Sequence, residues 1–342
     1  MNECQLIGTV PPESFASELE RLSRAFKIYY STSTEPLPSK GLAVTREIRL
    51  QSELYLPLAW IRRTAFSLYR SALPYPPVYS SSPFYSPLSW ADCFVMLPEW
   101  LQISPDPSVI FSALLNDRSM LERFIFHSFL PSRFNGPGFN RYPEQSQWLA
   151  NHLQSIRQNG KRIRVLDAAC GSGEGTWEIS SILMKNGWDK GSCELTGWTL
   201  DPLEVWAAEN IANPDDEERF QYYREYVRRL MAEGSSPRPR FYTVNLLESQ
   251  PKEQQFEIIV CNGLAGGPII NCEHGVKRLA HRLSNRLSDS GILLLADRFH
   301  GGWKKKTPEA VIRSNFASHG LEPLYLGGEH SVFIRSATGT KG

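Results

Sequence analysis

The stretch Val-Leu-Asp-Ala-Ala-Cys-Gly-Ser-Gly-Glu-Gly at residues 165–175 decides the fold of this chain. An apolar strand, predicted over Ile163–Ala169, runs into an acidic residue. A tight glycine-rich turn then leads into a helix that begins near Thr176. Glycine carries no Cβ and tolerates positive φ, so the backbone N–H groups of such a turn can approach a ligand closely. A helix N-terminus favours an anionic or polar ligand. The segment therefore indicates a nucleotide-like cofactor.

Strands alternate with helices from residue 145 onward, and this pattern predicts an α/β fold with a mostly parallel sheet. The further strands are predicted over Cys193–Leu200, Phe241–Leu246, Phe256–Cys261 and Gly291–Ala296, and the helices over Gln145–Gln158, Thr176–Lys185 and Val276–Leu287. Two last strand candidates, near 322–326 and 331–335, are separated by Gly327-Gly328 and predict a C-terminal antiparallel hairpin at one edge of the sheet. The long insertion between strands two and three carries a helix over Asp215–Glu233.

Residues 1–138 are predicted to form a separate, mainly helical domain, and residues 139–342 the cofactor-binding domain. Apolar residues recur at helical spacing from Phe15 to Phe26. A second helical tract covers about 44–71 and is interrupted by Pro57. A third covers about 107–130. The prolines, tyrosines and serines of residues 73–90 predict a loop between the second and third tracts.

Composition narrows the function classes. The chain has 342 residues, 41% of them hydrophobic, and a formal net charge of +1. A neutral balance gives no support for nucleic-acid binding. The six cysteines form no CxxC pair and have no zinc-type spacing, so we predict free thiols in a reducing compartment and no metal site. The N-terminus lacks a signal-peptide pattern, and no run approaches 18 apolar residues. These features predict a cytoplasmic protein without a membrane span.

The residues that follow each predicted strand are polar or small, and in an open parallel sheet ligands bind at this carboxyl edge. Asp201 can accept two hydrogen bonds from a ribose diol. Asn245 offers an acceptor and a donor to an adenine edge. Together with the glycine turn, these residues predict an S-adenosylmethionine site. An alternative is that Asp201 and Asn245 only cap turns. A dinucleotide site is a weaker alternative, because the glycine spacing differs from G-x-G-x-x-G and Glu174 would face a pyrophosphate.

Four short motifs resemble class I S-adenosylmethionine-dependent methyltransferases, and in detail the branch of the chemotaxis-receptor (CheR-type) methyltransferases. The motifs are Ala168-Ala169-Cys170 before the turn, Glu174 after it, Asn245-Leu246-Leu247 after strand three, and Phe139-Asn140-Arg141-Tyr142-Pro143 upstream. The resemblance covers about 139–300. It implies a Rossmann-like fold, S-adenosyl-L-methionine as cofactor, S-adenosyl-L-homocysteine as product, and Arg141 near the cofactor. The predicted cofactor-binding residues are Arg141, Asp167, Ala169, Gly171, Gly173, Glu174, Asp201, Pro202, Asn245, Leu246, Cys261, Asn262 and Gly263.

The chain departs from that branch after strand four, where it reads Cys261-Asn262-Gly263 instead of Cys-Arg-Asn and lacks the tyrosine that follows. The insertion after strand two is helical rather than a small β subdomain. Two functions therefore stay open: a methyltransferase acting on a carboxylate or another O or N acceptor of a protein or small molecule, and a catalytically inactive sensor or scaffold that binds the cofactor. A nucleic-acid methyltransferase is disfavoured, because no Asn-Pro-Pro-Tyr type sequence follows strand four.

The acceptor decides whether a general base is needed. A carboxylate acceptor needs none, whereas a phenol, alcohol or amine gains from one. The predicted catalytic residues are His300 and Asp297, just past strand five, together with Arg141. His274 is a further histidine near a strand end.

Overall fold

A mixed seven-stranded sheet organises the C-terminal part of the chain in the computed structural model, which describes residues 7–77, 82–130, 138–156, 162–248, 254–299, 301–327 and 330–335. The strand order is β3-β2-β1-β4-β5-β7-β6. The strands are β1 (Ile163–Asp167), β2 (Cys193–Thr199), β3 (Arg240–Thr243), β4 (Phe256–Asn262), β5 (Leu287–Ala296), β6 (Leu321–Leu326) and β7 (His330–Arg335). β1 to β5 pair in parallel, and β7 runs antiparallel to both of its neighbours. The predicted α/β fold with a C-terminal antiparallel hairpin is confirmed.

Six helices in the described N-terminal residues replace the three predicted tracts. They are α1 (Ala16–Thr32), α2 (Arg46–Tyr55), α3 (Leu58–Ala72), α4 (Trp90–Met96), α5 (Pro107–Asn116) and α6 (Arg118–Phe129). The predicted break at Pro57 is confirmed. The helical tract predicted over about 107–130 consists of two helices, because Asp117 ends α5 and caps α6 by accepting a hydrogen bond from the Met120 amide (3.0 Å). Residues 78–81 of the predicted 73–90 loop lie outside the described residues.

Seven helices accompany the sheet in the described C-terminal residues. They are α7 (Pro143–Ile156), α8 (Glu174–Lys185), α9 (Pro202–Asn210), α10 (Glu217–Ala232), α11 (Glu273–Arg286), α12 (Gly301–Lys306) and α13 (Glu309–Ala317). The sequence patterns predicted α7, α8, α10 and α11 to within three residues at each end, but not α9, α12 or α13. Among the described residues, no helix combines the length and the apolar character needed to cross a membrane.

The sheet has an apolar core on each face, because side chains alternate along a strand. One core includes Leu293, Leu295 and Phe333 and is completed by side chains of α11 and α13. The other includes Leu294 and Val332 and is completed by side chains of α7 and α8. Residues that lie on the same face of the sheet as Leu294 and Val332 therefore face α7 and α8. Asn262, at the carboxyl edge, is on this face.

The chain divides into two compact units between residues 132 and 133, with Asn213–Asp216 grouped with the first. Within the first unit, His127 Nδ1 lies 2.8 Å from a carboxylate oxygen of Asp215. The guanidinium of Arg123 lies 4.3 Å from the ring centroid of Trp100. The second unit contains the whole sheet and the helices α7 to α13.

Candidate functional site

The glycine turn after β1 has the backbone that the sequence predicted. Gly171 and Gly173 have φ of 52° and 88°, and Gly173 is the N-cap of α8. A Cβ on Gly173 would lie 2.8 Å from the Cβ of Ala208 and 2.9 Å from the Tyr223 hydroxyl. Both the positive φ and this crowding exclude other residues at the position. The turn therefore leaves the N-terminus of α8 at the carboxyl edge of the sheet.

Asp167 ties the end of β1 to α8. Its buried carboxylate accepts a hydrogen bond from the Thr176 hydroxyl (2.7 Å). It also accepts one from the Ala169 amide, while burial raises the pKa of Asp167 to about 6. These contacts make Asp167 a support of the turn.

Two carboxylates lie close together after β2: Asp201, which is buried, and Glu204, which is half-buried. Asp201 is only 3% exposed. Its Oδ1 accepts a hydrogen bond from the Leu203 amide (2.9 Å) as the N-cap of α9. Burial raises the pKa of Asp201 to about 6 and that of Glu204 to about 7, and Asp201 adds to the rise at Glu204. The Thr199 hydroxyl donates to Glu204. Among the described residues, Oδ2 of Asp201 has no hydrogen-bond donor.

Asn245 caps a turn after β3. Its Oδ1 accepts from the Leu247 amide (3.0 Å), and its Nδ2 donates to Glu248 Oε1 (2.8 Å). Both ends of the carboxamide are thus engaged locally, and an adenine ring would have to displace Glu248 to reach Nδ2. Leu246 is half-buried beside it.

The insertion helix α10 packs on the glycine turn, which the sequence did not reveal. Arg219 pairs with both carboxylate oxygens of the buried Glu174, at 2.7 Å for the Nε bond. Tyr223 donates from its hydroxyl to the carbonyl of Ser172 (3.2 Å). The apolar stripe of this helix is buried, and it contains Phe220, Tyr223, Val227 and Leu230. The helix thus fixes the turn through two polar contacts besides its apolar packing.

The first turn of α7 meets the end of β4 through an amide pair. Asn262 Nδ2 donates to Gln145 Oε1 (2.7 Å), and Gln145 Nε2 donates to Asn262 Oδ1 (3.1 Å). Gly263 follows with a φ of 67°. Burial raises the pKa of the Cys261 thiol to about 12, so this cysteine stays protonated.

Tyr142 is buried, and two arginines lie near its ring. The guanidiniums of Arg141 and Arg298 lie 5.4 and 5.8 Å from its ring centroid. Arg141 therefore lies two residues before the start of α7 and against the Tyr142 ring.

Asp297 lies directly after β5. It accepts a hydrogen bond from the Phe299 amide (3.2 Å), and the Lys304 ammonium lies 3.4 Å from it. A cavity of about 80 Å³ opens here, and its lining includes Cys261, Ala296, Asp297, Lys304, Phe333 and His330. His300 lies outside the described residues. His274 is exposed on the first turn of α11.

The parallel strands bring Asp167, Asp201, Asn245, Asn262 and Asp297 to one edge of the sheet. The strand order reverses between β1 and β4, and ligands bind at such switch points. Within the described ranges, no three His, Cys, Asp or Glu side chains are grouped so that they could hold a metal ion. Sheet order and strand-end residues together define a Rossmann-like fold of the methyltransferase type.

Comparison with models of protein families gives no match, and neither does comparison with curated proteins. Solved structures with a similar fold include methyltransferases of low sequence identity. One is CalS10 with bound S-adenosylmethionine, an amino pentose methyltransferase from Micromonospora echinaspora (12% identical, 60% of this chain and 95% of that chain, TM-score 0.39). Another is magnesium protoporphyrin IX methyltransferase from Synechocystis PCC 6803 (16%, 64% and 98%, TM-score 0.39). A third is the sugar N-methyltransferase KedS8 from Streptoalloteichus (15%, 60% and 92%, TM-score 0.40). Likeness at this level carries no conclusion about the ligand or substrate of this chain.

Proposed function

We propose that this chain is an S-adenosylmethionine-dependent methyltransferase with a CheR-like core, which methylates a carboxylate or another O or N acceptor of a protein or small molecule. The observation that carries the proposal is Asp201. Its carboxylate is buried, its pKa is raised, and one oxygen lacks a donor among the described residues. A carboxylate oxygen has two lone pairs, so Asp201 can accept further hydrogen bonds besides the one from Leu203. A ribose diol would supply the missing donors.

The residues around Asp201 fit the rest of that cofactor. The glycine turn carries no side chains that would block its backbone N–H groups. The methionine portion of the cofactor can therefore approach these groups at the N-terminus of α8. We propose that the adenine lies beside Asn245, where it would displace Glu248 from Nδ2. Arg141, which lies two residues before α7, would pair with the carboxylate of the cofactor. When bound, the cofactor supplies a methyl group on a positively charged sulfur. The neighbouring carboxylates Asp201 and Glu204 add negative charge to the edge that receives this cation.

Catalysis in such a site depends chiefly on position. Holding the acceptor atom about 3 Å from the methyl group can supply roughly 7–11 kcal/mol of the barrier reduction. Asp297, at the end of β5, together with Arg141 and His300, remains a candidate for orienting the acceptor. The ion pair of Asp297 with Lys304 holds that carboxylate at the rim of the cavity.

Calorimetric titration with S-adenosylmethionine and S-adenosylhomocysteine tests the proposal. We expect micromolar binding by the wild type. Asp201→Ala should lose at least about 2 kcal/mol, because it removes a charged hydrogen-bond acceptor. This corresponds to about 30-fold in Kd. Asp289→Ala is the control, since Asp289 is exposed on the same unit. Absence of binding by the folded wild type would refute the proposed function.

A cofactor-binding sensor or scaffold is the second candidate. The amide pair of Gln145 and Asn262 closes the end of β4, the place where CheR-type enzymes carry an arginine. Binding of the cofactor without methyl transfer to any fraction of a cell extract would favour this candidate. Methyl transfer by the wild type would exclude it.

A further inference from the structure

The cavity at the end of β5 is lined by the sheet and by the helices α12 and α13. Its buried lining is apolar and includes Leu295 and Phe333 of the sheet, and Ile312 of α13 packs against the same core. Cys261 also lines the cavity, which therefore lies at the carboxyl edge of the sheet. A cavity of about 150 Å³ accommodates benzene, so the volume of about 80 Å³ suits a chain of about three carbon atoms.

Four charged side chains line the same cavity, two of each sign. They form two ion pairs. The Lys304 ammonium lies 3.4 Å from Asp297, and Arg313 donates to Glu309 one turn earlier on α13. All four side chains are partly exposed to solvent. Exposed ion pairs contribute little to stability, so a ligand can replace one partner of such a pair at little cost.

The hydrogen-bond donors of the two basic side chains are not fully used. Nε of Arg313 is buried, and among the described residues it has no hydrogen-bond acceptor. The Lys304 ammonium has three N–H groups, and its distance of 3.4 Å from Asp297 exceeds that of a good hydrogen bond. Asp297 itself also accepts a hydrogen bond from the Phe299 amide. The cavity therefore lacks acceptors rather than donors, which indicates a ligand with negatively charged oxygen atoms.

We propose that this cavity binds a compound that ends in a carboxylate on a short aliphatic chain. The carboxylate oxygens accept hydrogen bonds from Arg313 and Lys304, and such charge-assisted bonds are the stronger ones in proteins. The aliphatic chain packs against Leu295, Ile312 and Phe333. The inference goes beyond the proposed function and does not depend on it, because carboxylate binding can be measured without the cofactor.

A titration followed by methyl NMR tests the proposal with butyrate, which has a carboxylate and three further carbon atoms. The protein is labelled at the δ1 methyl groups of isoleucine. Butyramide and n-butylamine are probes of similar size without the negative charge. We expect butyrate to shift the Ile312 methyl signal, and either other probe to bind at least about 10-fold more weakly. The signal of Ile110, which is buried in α5, should not move.

Substitutions at the charged residues test which side chains hold the carboxylate. Lys304→Met and Arg313→Met should each weaken butyrate binding by about 10-fold or more, since each removes a charged donor. Glu309→Gln should strengthen binding, because it removes the carboxylate that competes for Arg313. Lys305→Met is the matched control and should stay within about twofold of the wild type, since Lys305 is exposed on the same helix as Lys304 but does not line the cavity. The exposed positions of Lys304 and Glu309 keep those two variants folded, even if Arg313→Met is not.

The outcomes separate this site from the proposed function. An Ile312 signal that does not respond to butyrate, equal affinities for butyrate and butyramide, or equal losses in Lys304→Met and Lys305→Met would each overturn the carboxylate site. Preference for n-butylamine would also overturn it, in favour of a cation bound to Asp297. Cofactor binding is measured separately by the calorimetric titration described above, so its failure would overturn the proposed function alone.

Discussion

Asp201 is a buried carboxylate whose charge destabilises the folded chain when no ligand is bound. Burial raises its pKa from 3.8 to about 6. One pKa unit corresponds to about 1.4 kcal/mol. As the pH falls, Asp201 binds its proton near pH 6 in the folded protein but only near pH 4 in the unfolded chain. The contribution of Asp201 to the free energy of unfolding therefore becomes less favourable as the pH rises from about 4 to about 6.

Asp201→Asn should stabilise the ligand-free protein at pH 8. The amide keeps an acceptor for the Leu203 N–H and removes the buried charge. We expect a gain on the order of 1–3 kcal/mol at pH 8, shrinking towards zero near pH 4. Urea unfolding at several pH values measures it, with Asp289→Asn as the exposed control. A gain that does not vary with pH would contradict the account.

Sequence could identify the residues at the strand ends, but not what each one contacts. Asp201 and Asn245 were predicted from their spacing behind two strands. Asp201 is also the N-cap of α9, and Pro202 takes the first helical position. This pattern is typical of a helix start and could have predicted α9. The carboxamide of Asn245 is engaged by Glu248, a contact set by the local turn rather than by any pattern.

At the scale of elements, α10 stabilises the glycine turn through the pair of Glu174 and Arg219. The Glu174 side chain is 7% exposed. Removal of one partner from a buried ion pair leaves an uncompensated charge.

Arg219→Met should lower the free energy of unfolding by about 3 kcal/mol. Adding Glu174→Gln should recover much of the loss, because the buried charge is then gone. Urea unfolding of the two single variants and the double variant measures the coupling. Arg228→Met is the matched control on the same helix, since its pair with Glu225 is exposed and should contribute almost nothing. Equal losses in Arg219→Met and Arg228→Met would contradict the role of α10.

Long periodic elements were predictable, and short breaks were not. The strands β4 and β5 contain runs of apolar residues, over 258–261 and 292–296, which predict buried strands. Asp117 separates α5 from α6 without glycine or proline, so helical periodicity continues across it. Ser89 caps α4 by accepting from the Asp92 amide, but it lies at the end of a proline-rich stretch that predicts a loop.

At the scale of the whole molecule, the residues of the proposed cofactor site all belong to the second unit. Cofactor binding should therefore slow amide hydrogen exchange in residues 168–176, 199–205 and 243–248, which follow β1, β2 and β3. The helices α3 and α5 of the first unit should exchange as before. Mass-spectrometric exchange with and without S-adenosylmethionine measures both sets, and Asp201→Ala should abolish the protection. Protection confined to the first unit would contradict this assignment.

The pairing of distant segments is the part of the site that no local pattern could give. Gln145 and Asn262 are 117 residues apart, and their amides meet only because α7 packs across β4. Ala296 of β5 pairs with Asn262 of β4 on one side and with His330 of β7 on the other. The second pairing depends on the register of an antiparallel strand. Sequence singled out His300 and His274 because they lie near the ends of predicted strands.

The reversed direction of β7 has a consequence for how this protein can diversify. Its first residue, rather than its last, lies at the ligand edge, and only three residues separate Leu326 from His330. Lengthening that connection would reshape the cavity after β5, which Gly327 and His330 line, while the turns after β1, β2 and β3 stay unchanged. In the proposed methyltransferase, insertions at this point would change which acceptor binds and would leave the cofactor site unchanged.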